Sequence, residues 1–525
     1  MRVGKKCPGY RDQLSLMFRD ESTKVIQKAH AQWGTSGSPD HASQTSNSSS
    51  SSRRSSATSP SSTSSREGCQ TSISPSRAGR MVKREVVPTR ITRAIDTNVD
   101  DRGVQFYISR YLHDQPDGPR TPAELAAYCT SSDAMRNIVV AVGLAGLSNL
   151  RGDKDMSLYA REKYVSALRH TGQLVLSSQV RQDPVGFALS VKSVVTLALF
   201  EVVSRKGSVV SASTARTHIQ GAIALFKTAL PFPQAPKGGA KGALQLLFTL
   251  FIPSQMTDML LPEAFFEVLT KCRELLQGSP ETISVDVALA IADVVQASSV
   301  LSYKKHVDGR PAIEALLQQL STLQTRFDDL EDALYHAYPY EVRQGHHPPI
   351  ALFRGKWHAY AEMWAARIWN HYRWARIILN EMLIKATTEY PVSGARFLSP
   401  SRRDQGLATI KRMAEDTLIS TPAHWHHPVL DSKTAKMFGA PGQGGSGAAG
   451  IPTLMWHLKT AGCAMGVSRE LWGWSYETMQ VIWKEMGMQH AIAIAGVMEK
   501  ERAMQEREWM MLNETKVKIE ELGDE

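Results

Sequence analysis

A chain of 525 residues, 42% of them hydrophobic, suits one large domain with additional segments and excludes a single small domain. Its five cysteines are scattered without a C-x-x-C pair, which argues against a disulfide scaffold and indicates a reducing compartment. Most of the net charge of +10 falls within residues 1–100. We therefore expect this tail either to contact an acidic partner such as nucleic acid or to be a solvated basic linker.

Residues 1–33 are predicted to form a turn at Pro8-Gly9 and then a short amphipathic helix. Cys7 directly precedes this turn. A lone cysteine is more often a buried or free thiol than a metal ligand, because a zinc site needs several ligands together. The segment lacks the apolar run of a secretory signal, and the apolar runs at 138–147 and 185–203 do not predict a membrane span.

Residues 34–104 form a Ser/Thr-rich basic linker that we expect to be disordered, because it lacks the apolar residues needed to bury a core. Within it, Ser59 and Ser74 each precede a proline, so both are plausible phosphorylation sites. The basic residues between 77 and 93 would serve nuclear import, or they would only keep the linker solvated.

From residue 105 to residue 500 the spacing of apolar residues is helical and no strand-like alternation is evident, so the predicted fold class is all-α. The predicted helices include FYISRYL, NIVVAVGLAGLSNL, PVGFALSVKSVVTLALFEVVS, TARTHIQGAIALFK and ELWGWSYETMQVIWKEMG. The glycine-rich segment GAPGQGGSGAAG, which ends at Gly450, is predicted to be a flexible insert. A charged tail occupies residues 501–525.

The segment from Trp357 to Leu383 is predicted to be the central helix of this domain. Its apolar and aromatic residues recur in steps of three and four, and no Pro or Gly interrupts it. Trp369 and Trp374 lie off the main apolar face, which indicates that a second surface of the helix is also covered.

Three groups of polar residues in the helical body are candidates for a function. The histidines of HWHHP, namely His424, His426 and His427, are a candidate metal site, but no Cys or carboxylate cluster adjoins them, so a surface or half-buried loop is favoured. The pair His346-His347 is a similar and weaker candidate. The basic residues among the aromatics of the central helix would stack on nucleic-acid bases or, as favoured here, make cation–π and ion-pair contacts inside the domain: Arg367, Arg373 and Arg376.

Motifs of common enzyme classes are missing from the sequence. There is no G-x-G-x-x-G, P-loop, H-E-x-x-H or G-x-S-x-G motif, and the glycine-rich insert carries no lysine to bind phosphate. The sequence therefore predicts a protein that is not an enzyme and that acts by interaction.

The N-terminal run CPGYRDQLSLMFRDES, which begins at Cys7, resembles the segment that leaves the zinc-cluster domain of fungal Zn2Cys6 transcription factors. In that family six cysteines hold two zinc ions, and the last cysteine commonly begins a C-P-G-Y-R run. Cys7 matches only this last ligand and cannot hold zinc by itself. The resemblance implies that the zinc module is truncated from this chain, and that zinc would be bound only in a full-length form.

The helical body resembles the fungal-specific transcription factor domain over residues 105–500. The resemblance is carried by motifs in the family's order: ISRYL, AVGLAGLSNL, HIQGA at 218–222, YPYEV at 338–342, WNHYR at 369–373 with ARI at 375–377, IPTLMWHLKTAG, and MGMQHAIAIAGVME. Two departures are evident. His457 stands where the family usually has proline, and MAEDTLISTPAHWHH lacks the family's Cys-Ala-Ser.

The resemblance implies a nuclear regulator of transcription by RNA polymerase II, without catalytic residues and without a membrane. Its partners would be proteins of the transcription machinery, a second copy in a homodimer, and promoter DNA only where a zinc cluster precedes the chain. One alternative is a stand-alone helical regulator that binds a protein partner or a small ligand and never touches DNA. The other, a metal-dependent enzyme built on the HWHH histidines, is disfavoured.

Overall fold

The computed structural model describes residues 98–112, 121–177, 183–204, 207–229, 236–304, 310–438 and 447–505. These residues belong to one compact unit. The predictions for Cys7, for the helix that follows it and for the Ser-rich linker as far as residue 97 lie outside the described residues, as does the tail beyond residue 505.

Helices account for nearly all of the described secondary structure, so the all-α prediction is confirmed. Helix α1, Val99–Tyr107, begins six residues before the predicted boundary at 105, because Asn98 caps it by accepting a hydrogen bond from the Asp100 backbone. A π-helical turn, Ile108–Leu112, continues from α1. Helix α3, Asp133–Arg151, is capped by Ser132 and is buried along most of its length, as predicted for NIVVAVGLAGLSNL.

The remaining helices follow in chain order. They are α2 (Pro122–Thr130), α4 (Lys154–Leu176), α5 (Pro184–Ser204), α6 (Ser208–Ala229), α7 (Pro236–Phe248), α8 (Phe251–Met256), α9 (Glu263–Leu276), α10 (Thr282–Lys304), α11 (Arg310–Ala337), α12 (Met363–Glu389), α13 (Pro391–Gly394), α14 (Pro400–His424), α15 (Ser432–Phe438), α16 (Gly447–Cys463) and α17 (Arg469–Met486). A last helix, α18, is described over 489–505.

Helix α12 is the centre of the domain. It packs against α10 and α11 on one side and against α14 and α16 on the other, and α17 covers α16. The remaining helices extend the domain, with α3 lying between α1, α4 and α5, and α6 joining α5 to α8 and α9. Trp369 and Trp374 are each 2% exposed, which confirms that α12 is covered on more than its main apolar face.

A two-stranded antiparallel sheet corrects the prediction that the central helix begins at Trp357. Strand β1, Tyr340–Gln344, pairs with β2, Lys356–Tyr360, and Tyr340 lies opposite Tyr360. The aromatic residues at 357 and 360 also satisfy helical spacing, but backbone hydrogen bonds to β1 hold the segment extended. A short 3₁₀ turn, Phe353–Gly355, leads into β2, and α12 begins only at Met363.

The predicted flexible insert is also partly wrong. Its last four residues, 447–450, form the first turn of α16, where the two alanines favour a helix and Gly450 is buried. Residues 439–446 of the insert lie outside the described residues.

Among the helices that the structure describes, two are long and apolar enough to cross a membrane, namely α5 and the 282–302 segment of α10. In the fold, 56% and 67% of these windows are buried. Core helices of water-soluble proteins meet the same criterion, so this is weak evidence for a membrane, and the expectation of no membrane stays a prediction.

Candidate functional site

The residues of the WNHYR block lie on α12 and make hydrogen bonds to neighbouring segments of the chain. The Trp369 indole N–H donates to the Tyr338 carbonyl at 2.8 Å, and the Tyr372 hydroxyl donates to the Phe327 carbonyl at 2.7 Å. Both acceptors lie on α11 or directly after it. Because a buried polar group left without a partner is costly, these bonds fix the orientation of α12 against α11.

Arg376 extends the contact with α11 one turn further along α12. Its guanidinium donates to the Gln324 side chain at 2.7 Å and to the Asp328 carboxylate at 2.5 Å. It also lies over the ring of Phe327, at 5.9 Å from the ring centroid. Arg376 is only 4% exposed, which leaves little of it open to a nucleic-acid base.

Arg373 is the most deeply buried charge of this region, at 1% exposure. It donates to the Tyr360 hydroxyl and to Asn370 Oδ1, each at 2.9 Å, and to His358 Nδ1 at 3.2 Å. The faces of Tyr340 and Trp369 flank it at 5.1 and 5.3 Å. The structural role favoured from the sequence is therefore confirmed for this residue, because its charge is stabilised by neutral dipoles and aromatic faces.

Tyr360 and His358 bring strand β2 into this polar cluster. Burial raises the pKa of Tyr360, and the Tyr360 hydroxyl also lies 3.1 Å from Ser420 on α14. Burial, together with the Arg373 charge, lowers the pKa of His358 to about 2. His358 is therefore neutral. Because its Nδ1 accepts from Arg373, its proton lies on Nε2, which faces Asp416 at 3.7 Å.

A small cavity of about 30 Å³ lies on the opposite side of Asn370. Three histidines from three helices line it: His371 on α12, His424 on α14 and His457 on α16. All three are buried, with exposures of 2–3%. Residues from α7, the Arg367 side chain and the first turns of α16 complete its wall.

The protons of two of these histidines can be assigned from their partners. His371 Nδ1 lies 2.9 Å from the Arg367 carbonyl and must donate to it, which leaves Nε2 as an acceptor without a partner. Asn370 Oδ1 is used by Arg373, so Asn370 Nδ2 donates to His424 Nε2 at 2.9 Å. Neither ring nitrogen of His457 has a hydrogen-bond partner.

Burial is the main cause of low pKa values in this group. It lowers the pKa of His371 to about 4 and that of His424 to about 3, and the charge of Arg367 lowers both further. The pKa of His457 is lowered well below its usual value by burial and by the other two histidines. The cavity is therefore lined by neutral imidazoles near a positive guanidinium.

The structure separates the histidines that were grouped in the sequence. His424 is not in a loop but is the last residue of α14, which extends one residue into the HWHHP segment, and it lines the cavity. His427 is buried elsewhere and accepts from the Val429 backbone at 3.1 Å. His346 is exposed. Within the described residues, no group of three or more His, Cys, Asp or Glu is arranged to hold a metal ion.

Sequence reasoning missed His371 and His457 as partners of His424. Each stands within an apolar helical segment, WNHYR or LMWHLK, and a lone histidine in such a segment gives no sign of which helix will face it. The departure noted at His457 was the one available signal, since a histidine there adds a buried polar group.

A second buried polar cluster joins α4, α5 and α6. Glu201, at 1% exposure, accepts from the Tyr164 hydroxyl at 2.5 Å. His218, the first residue of the HIQGA motif, lies 3.0 Å from the same hydroxyl and 3.9 Å from the carboxylate. The motif histidine thus links three helices in the N-terminal half of the domain, much as the WNHYR residues do around α12.

Compared with protein-family models, with curated proteins and with solved structures, the chain has no match in any of the three.

Proposed function

We propose that this chain is a nuclear regulator of transcription by RNA polymerase II, similar to the fungal Zn2Cys6 transcription factors, and that its helical domain acts by contacting other proteins. The observation that carries the proposal is the position of the WNHYR block. The residues on which the resemblance rests are those that tie α12 to α11, to β2 and to α14. Residues that hold α12 against its neighbours would give a family a shared sequence motif for structural reasons. The resemblance therefore does not require that these residues be catalytic.

The proposed function does not require the cysteines of this sequence to bind zinc. Cys7 alone matches the family's ligands, and the described cysteines are buried in separate helices: Cys129, Cys272 and Cys463. Burial raises the pKa of all three thiols, which disfavours the thiolate that zinc requires. Promoter binding through a zinc cluster would therefore need cysteines from outside this sequence, and the basic tail would connect that module to the helical domain.

A tethering experiment tests the proposal. The full chain is fused to a heterologous DNA-binding domain and placed at a reporter promoter in a fungal cell, with its location followed by fluorescence. We expect the fusion to enter the nucleus and to change reporter transcription several-fold. An Arg373→Met fusion should lose the effect because the helical domain is disturbed, whereas an Arg343→Met fusion, altered at an exposed residue of β1, should keep it.

A stable nuclear fusion that leaves the reporter unchanged would exclude the proposal. Exclusion of the untethered full chain from the nucleus would favour the stand-alone regulator instead. In that alternative the same helical domain binds a protein partner or a small ligand and does not act at a promoter.

A further inference from the structure

We propose that the cavity between α12, α14 and α16 is a binding site for one small monovalent anion, which is either a halide accompanied by a single water molecule or a formate. The proposal concerns His371, His424 and His457 and does not depend on the transcriptional function.

The size of the cavity limits its occupant. A water molecule needs about 10–15 Å³ of such space, so the 30 Å³ available holds about two water-sized groups. Drug-sized ligands occupy pockets of roughly 300–1,000 Å³. A nucleotide, a sugar or an amino acid is therefore too large, whereas a halide with one water, or a formate, fits.

Unused hydrogen-bonding atoms show that the cavity is polar rather than a packing defect. Both ring nitrogens of His457 and Nε2 of His371 are buried without partners. Leaving such groups unpaired is destabilising, so an occupant that pairs with them is favoured. Neutral His457 offers one N–H whichever tautomer it adopts, and this N–H would donate to the anion.

The charge around the cavity selects an anion over a cation. Its lining contains Arg367 and no aspartate or glutamate. The charged groups that act on the three histidines are Arg367 and Arg373, both on α12, and each lowers the pKa of a histidine that it faces. A metal cation would meet this positive field without a carboxylate ligand, and the described residues provide no metal-binding group.

A water molecule beside a halide satisfies the acceptor nitrogen of His371. His371 Nδ1 donates to the Arg367 carbonyl, so Nε2 can only accept while the ring is neutral. An anion cannot satisfy that acceptor, but a water molecule between His371 and the anion donates to both. Gln245, Thr249 and Thr453 also line the cavity and are only half-buried.

The test uses the full chain at pH 7 and constant ionic strength. Chloride, bromide or formate replaces gluconate, which is too large for the cavity, and Tm is measured at each concentration. We expect a saturable rise in Tm and broadening of the ³⁵Cl NMR line, reversed by competing bromide. A response to formate alone would identify a carboxylate as the occupant, and a response to the halides alone would identify a halide.

Two matched substitutions locate the effect. His457→Phe replaces the imidazole with a ring of similar size that has no N–H, so the anion-dependent rise in Tm and the chloride line broadening should be lost. His490→Phe replaces a histidine that is equally buried but accepts from Trp456 outside the cavity lining, and it should keep both responses.

Several results would overturn the proposal. No anion-dependent change in either measurement on the unaltered chain would mean that the cavity holds water only. Equal responses of the two variants would place the anion elsewhere. Because the NMR measurement on the unaltered chain needs no variant, the proposal remains testable even if His457→Phe fails to fold.

Discussion

At the scale of single residues, Arg373 shows how one charge can be buried without a paired carboxylate. Within the described part of the chain, no acid lies within ion-pair distance of it. Desolvation lowers its pKa, but Tyr360, Tyr340 and Asp416 more than offset this effect, so that its pKa is raised overall. The guanidinium therefore stays charged, and its partners are oriented around that charge.

Replacing Arg373 should destabilise the domain strongly. Arg373→Met retains much of the side-chain volume but leaves buried Tyr360, Asn370 and His358 without their donor, so we expect a loss of about 3–5 kcal/mol in the free energy of unfolding. Urea unfolding followed by tryptophan fluorescence measures the change. Arg343→Met removes an exposed ion pair with Glu341 and should cost less than about 1 kcal/mol. Similar losses in the two variants would contradict this account of Arg373.

The sequence predicted that the arginines of the central helix are structural, but it could not predict the cavity. Aromatic residues around Arg373 within one helix are visible locally, and they indicated cation–π contacts. The meeting of His371, His424 and His457 depends on the order in which α12, α14 and α16 pack. That order is set by contacts between residues more than thirty positions apart, which the spacing within one helix does not encode.

At the scale of elements, α1 and α3 cross with their backbones in close approach at Gly103 and Gly143. A methyl group added to Gly143 would lie 1.8 Å from the Gly103 carbonyl, which is far inside van der Waals contact. Gly143→Ala should therefore force the helices apart and cost several kcal/mol, about 2–4. Gly172→Ala makes the same change in α4, where nothing lies within 4 Å, and should stabilise the domain by about 0.5–1 kcal/mol. Thermal unfolding of both variants measures the opposite signs, and a shift of the same sign in both would refute the argument.

Long helices were predictable because their apolar residues repeat over many turns, whereas the β1–β2 pair was not. In β2 the residues Trp357 and Tyr360 are spaced as on a helix face, and the strand has only five residues. Its extended form depends on pairing with Tyr340–Gln344 across an intervening loop. Five residues contain too few repeats to distinguish a helical period from a strand period. The conformation of β2 is therefore determined by its pairing with β1, which is distant in the sequence.

At the scale of the whole molecule, the buried histidines should make the domain sensitive to mild acid. Burial lowers the pKa of His358 to about 2, of His424 to about 3, and of His371 and His490 to about 4. In the unfolded chain a histidine titrates near about 6.5. Between these values the unfolded state binds more protons than the folded state, so stability falls as the pH falls.

The expected loss between pH 6.5 and pH 5 is about 1.6 kcal/mol for each such histidine, which for several together approaches the whole stability of a typical domain. Most carboxylates titrate below this range, and Asp416, whose pKa is raised by burial, acts in the opposite direction. Urea unfolding from pH 8 to pH 5 measures the slope. His490→Gln should make the fall between pH 6.5 and pH 5 smaller by about 1.6 kcal/mol, with the difference at pH 8 giving the pH-independent cost of the substitution. A free energy of unfolding that stays constant from pH 6.5 to pH 5 would show that these imidazoles are not held neutral by the fold.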